Sequence, residues 1–108
     1  MKSPTECQNM EDIRTEIDAI DKEIIVLIGQ RAEYVKAAAK FKVNRSDVNA
    51  ADRVKAMMIQ RRQWAQDNRI NADLIETIYK ELVNHFISEE FMHWDDSNPK
   101  NEERDTKK

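Results

Sequence analysis

The chain has 108 residues, a net charge of -3, one glycine, two prolines and a single cysteine. That length allows one domain, and the abundance of Glu, Lys, Arg, Ala and Ile beside so few helix breakers points to an all-α fold. The modest charge and the lack of a basic stripe with interleaved aromatics exclude a nucleic-acid binder. The longest uninterrupted apolar run, Ile24 to Ile28, is far too short to cross a membrane. The first ten residues, MKSPTECQNM, hold no apolar stretch that would make a secretory signal. Cys7 has no intrachain partner for a disulfide, which fits a reducing cytoplasm.

Three helices and a tail are expected. The first runs from about Met10 to Lys42, with Asn9 as its cap and Glu11 and Asp12 in the first turn, near the positive end of the helix dipole. VNRSDVN, residues 43–49, carries side chains that compete with helical hydrogen bonds and reads as a loop. A second helix starts behind Asn49, with Asp52 placed as in a capping box, and ends near Asn68; its apolar positions are Val54, Met57, Met58 and Trp64. Asn71 caps a third, whose core face runs through Ile75, Ile78, Tyr79, Leu82 and Phe86. Residues 1–94 form the helical domain, and the charged, proline-broken stretch 95–108 reads as a disordered tail.

The first helix also bears on assembly. Some 32 residues make a rod of roughly 48 Å, whereas a compact chain of 100 residues has a radius of gyration near ~13 Å. Residues 24–28 are apolar in succession, so they face every direction around the rod, and Gly29 follows at once. A helix that is apolar on all sides needs cover on all sides, which two shorter helices do not supply. A homodimer with the long helices packed together is expected. An extended helical hairpin is the plainer alternative.

On that helix Ile13, Ile17, Ile20, Ile24, Leu27, Val35 and Ala38 share a stripe roughly 80° wide. Arg31 and Lys42 fall near its middle. Unpaired cations within an apolar core cost several kcal/mol at least. Snorkelling to water and lining a pocket for an anion stand about equal on this evidence. Glu90, on the apolar side of the third helix, offers one carboxylate against two cations with Arg53 nearby, and the residual positive charge suits a small dicarboxylate. His85 and His93 are eight residues apart, not at helical metal-ligand spacing, and no cysteine joins them, so no metal site is expected. Arg61 and Arg62 read as a solvated face, and Trp64 and Trp94 as packing anchors.

The segments MKSPTEC, DIRTEIDAID, IGQRAEYVKAAAKFK, DRVKAMM and WAQDN carry a family likeness that extends from Met1 to Trp94. The chain resembles the isochorismate pyruvate lyases, salicylate-forming enzymes of siderophore biosynthesis within the AroQ chorismate mutase fold family. The resemblance implies an intertwined dimer of three-helix protomers, each active site enclosed mainly by one chain with an arginine from the other. It places the functional groups at Arg14, Arg31, Lys42 and Glu90. Arg14 lies about 100° from the centre of the core stripe and is assigned by the resemblance alone. Val35, Met57 and Ile87 are expected as apolar walls, a reading that ordinary core packing satisfies equally well. The chemistry implied needs no cofactor or metal: a flexible dianion is held in a reactive conformer, arginines grip its carboxylates, and Lys42 meets the ether oxygen. The 43–49 loop, beside Lys42, is a plausible lid.

Two positions depart from related patterns. Bacterial mutases of this fold carry an acidic residue and an arginine where this chain has Val48 and Ala51, which favours a lyase. Glu90 stands where the lyase pattern has glutamine, and some fungal mutases have glutamate there. An ionised glutamate accepts hydrogen bonds but does not donate, so donation to substrate requires its protonated form and activity should favour acidic pH. Pairing of Glu90 with the cations, giving a slow enzyme, is the competing outcome. Three functions remain open: the lyase with weak mutase activity, a chorismate mutase proper, and a non-catalytic helical dimer.

Overall fold

A computed structural model describes residues 1–41 and 51–97, apart from the side chains of 90, 91 and 93–97. Its described part contains three α-helices and no strand: α1 (Met10–Ala38), α2 (Ala51–Asp67) and α3 (Ala72–Ser97). The all-α reading is borne out. A short 3-10 turn, Pro4–Glu6, precedes α1, and another, Ala39–Phe41, ends it. The second replaces the last regular turn expected for the long helix, a common tightening where carbonyls lose their helical partners. Lys42 and the expected loop 43–49 lie outside the described residues, as do Asn49 and residues 98–108.

The caps are those the sequence suggested. Asn9 Oδ1 accepts the Asp12 N–H at 2.8 Å, and Asn71 Oδ1 accepts the Leu74 N–H at 3.0 Å. Each satisfies a donor that the first helical turn leaves unpaired.

The chain divides into two units, residues 1–35 and 36–108. In the first, no residue of α1 is buried. Ile17, Ile20, Ile24, Ile25, Val26 and Leu27 are between 45% and 68% exposed. In the second, α2 and α3 pack as an antiparallel hairpin around Met57 (5% exposed) and Ala65 (3%). Met57 was expected inside, while Ala65 was not: a small side chain carries little hydrophobic signal yet allows close packing. Trp64 and Ile78, expected in the core, remain 48% and 43% exposed.

The α2–α3 turn closes on a left-handed residue, Arg69, with φ of 59°. The Ile70 N–H donates to Ala65 O at 2.8 Å and the Arg69 N–H to Gln66 O at 3.1 Å. These two bonds form a Schellman motif, in which carbonyls at the helix end gain partners and the chain reverses. Arg62 then ties the hairpin across, its Nη1 lying 2.8 Å from both Asp73 Oδ1 and Glu76 Oε1. Arg61 lies over the rings of Trp64 (4.7 Å) and Tyr79 (5.7 Å). Both arginines are half-buried, which corrects the solvated-face reading. Periodicity identifies a face, but not the carboxylates and rings that another helix brings to it.

Candidate active site

Three of the expected site residues lie on α1 within the first unit. Arg14 is exposed, in the second turn of the helix. Arg31 is half-buried, and its Nη1 is shut off from solvent. Val35, one turn further along, is half-buried. The two arginines differ in angular position as well: Arg31 shares the apolar stripe, and Arg14 stands well off it.

Their separation is informative. Seventeen residues of α-helix at 1.5 Å each put Arg14 and Arg31 about 25 Å apart along the axis. Even two extended arginine side chains reaching towards each other do not bring their guanidiniums onto one small molecule across that span. Within a single helix, therefore, the two cannot serve the same site.

On the second unit, Met57 is buried in α2 and Ile87 half-buried in α3. Ala51, one of the two positions expected to separate lyase from mutase, is the exposed first residue of α2. Lys42, Val48 and the Glu90 side chain lie outside the described residues. Glu89 Oε2 lies 2.9 Å from His85 Nε2, one turn back. That contact gives His85 a surface role consistent with its exposure.

At the turn end of the hairpin, Trp64, Ala65, Ile70, Ile75 and Tyr79 line an open apolar hollow of about 230 Å³, with Arg61 at its edge. The sequence marked Trp64, Ile75 and Tyr79 as packing positions but did not reveal the hollow, which depends on the reversal at Arg69.

Residues 13–91 match the family model for chorismate mutase type II. The chain belongs to this family. It is 37% identical over 94 residues to the isochorismate pyruvate lyase of Pseudomonas aeruginosa, a span covering 87% of this chain and 93% of that protein. It is also 36% identical over 75 residues to the T-protein of Haemophilus influenzae, covering 68% of this chain but only 20% of that one. The lyase likeness thus spans nearly a whole protein, whereas the T-protein likeness is confined to a segment. Among the described residues no helix is long and apolar enough to cross a membrane.

Proposed function

We propose that this chain is an isochorismate pyruvate lyase, active as a homodimer whose sites draw on both protomers. The near full-length likeness to a lyase carries the choice of reaction. The roughly 25 Å of helix between Arg14 and Arg31 supports the shared site, because two copies running in opposite directions can bring Arg14 of one near Arg31 of the other. The uncovered apolar residues of α1 supply the reason for two copies to associate.

In the reaction the ether C–O bond of isochorismate breaks. A ring hydrogen passes to the terminal methylene of the enolpyruvyl group, which leaves as pyruvate, and the ring becomes salicylate. Every bond that forms or breaks belongs to the substrate, so the protein's task is conformational and electrostatic. Arg31 and the partner's Arg14 bind the two carboxylates, whose geometry matches the guanidinium fork. Lys42 places a compact charge at the ether oxygen, where negative charge grows as the bond stretches. Glu90 addresses the same region as acceptor or, when protonated, as donor. Val35, Met57 and Ile87 are the apolar candidates for contact with the substrate. Cys7, a free cysteine, suits a reducing cytoplasmic setting.

The family also contains mutases, and chorismate shares the shape and the two carboxylates of isochorismate, so a weak conversion of chorismate to prephenate is expected alongside. Supplying the two substrates separately decides the matter. Salicylate and pyruvate from isochorismate at a far greater kcat/KM than prephenate from chorismate is the expected result. The opposite ratio makes the protein a mutase, and no turnover of either makes it a non-catalytic dimer.

A further inference from the structure

The residues before α1 turn back along the helix they precede. Pro4–Glu6 form a single 3-10 turn, closed by the Glu6 N–H donating to Ser3 O at 2.9 Å and the Ser3 N–H donating to Glu6 Oε1 at 2.7 Å. This reversal returns Lys2 to the helix surface. Its Nζ lies 3.1 Å from Asp12 Oδ2, and its backbone N–H donates to Glu16 Oε2. Asp12 Oδ2 also accepts the Gln8 N–H at 3.1 Å. The Gln8 N–H and then Lys2 hold the Asp12 carboxyl below the usual range, so it stays ionised.

We propose that Lys2 is a positioning residue for Arg14: its ion pair with Asp12 and its hydrogen bond to Glu16 strap the opening turns of α1, so that Arg14 is presented from a fixed helix face. The proposal rests on the reading of Arg14 as a substrate ligand. At 100° per residue, Asp12 and Glu16 lie about 40° apart, and Arg14 lies roughly 160–200° from each. The strap therefore grips the face opposite Arg14 and leaves the Arg14 side open. Helix ends fray, and Arg14 is only the fifth residue of α1, so without an anchor it belongs to the least persistent part of the helix. A displacement of about 1 Å in a substrate-positioning group can cost as much as 10²-fold in rate. Partial fraying averages that loss down.

Steady-state kinetics with isochorismate on the full chain test this. Lys2→Ala and Asp12→Asn should each lower kcat/KM on the order of 3- to 10-fold, mainly through KM. Lys2→Arg, which can keep the ion pair, should stay within about twofold of wild type. In an Arg14→Ala background, Lys2→Ala should cause no further loss, because the strap acts only through Arg14. If Arg14→Ala lowers turnover sharply to a measurable residue while Lys2→Ala and Asp12→Asn remain within about twofold of wild type, the strap is refuted and the Arg14 reading stands. Losses from Lys2→Ala and Arg14→Ala that simply add also refute it. Should Arg14→Ala keep wild-type turnover, the Arg14 reading itself fails, and the proposal falls with it.

Discussion

Arg14 and Arg31 sit on one helix, carry the same side chain and meet different surroundings. Arg31 was legible in the sequence because a cation in the middle of an apolar stripe demands an explanation, and the structure finds it half-buried with Nη1 screened from solvent. Arg14 was invisible to periodicity, since an exposed arginine near a helix start is ordinary; only family likeness singles it out. Arg31→Ala should lower kcat/KM by about 10²–10³-fold, the loss expected when a charge-assisted contact to substrate is removed. Circular dichroism should show the helices retained. A non-catalytic dimer would tolerate the change with only a shift in stability. For Glu90 the expectation concerns pH: donation to substrate needs the protonated carboxyl, so activity should favour acidic pH. Glu90→Gln, which donates at every pH, should flatten the profile. A wild-type profile that is already flat contradicts the donor role.

Among the elements, all three helices and the caps Asn9 and Asn71 could be read directly, because capping chemistry is local and helical periodicity is strong. The contacts between elements could not. Arg61 gave no sign of Tyr79, nor Arg62 of Asp73 and Glu76, all of which arrive only when α3 folds back over α2. Nor did the sequence announce a left-handed residue at Arg69, where glycine is the usual choice. A non-glycine residue in that conformation costs roughly 1 kcal/mol. Arg69→Gly should therefore stabilise the protein by about 1 kcal/mol, and Arg69→Val should destabilise it, both measured by chemical denaturation. The cross-hairpin ion pairs carry a pH signature. Lys80 and then Arg62 hold the Glu76 carboxyl below the usual glutamate range. A carboxyl lowered on folding adds stability above its unfolded pKa, and that stability disappears as pH falls through the folded value. Thermal unfolding followed from about pH 6 down to pH 3 should show a decline, and Glu76→Gln should lessen its slope. An identical slope in the variant would remove Glu76 from the stability account.

At the scale of the whole molecule, α1 is the element that does not fit a solitary chain. Its apolar residues from Ile17 to Leu27 are about half exposed or more. Gly29 costs the helix up to ~1 kcal/mol relative to alanine, yet a Cβ there would meet nothing within 4 Å in the protomer. The glycine is thus not required by the chain's own packing, and close approach of a second α1 gives it a purpose. The same helix carries the two arginines that lie too far apart to share a site unless two copies contribute.

Pairing impaired variants measures that sharing directly. Arg14→Ala and Arg31→Ala chains, each strongly impaired alone, are unfolded together in equal amounts and refolded. Random pairing makes half of the dimers mixed, and each mixed dimer has one site with both arginines intact. Turnover should recover to about a quarter of wild type. A mixture no more active than either variant alone, with mixed dimers confirmed by mass, would contradict a site built from both chains.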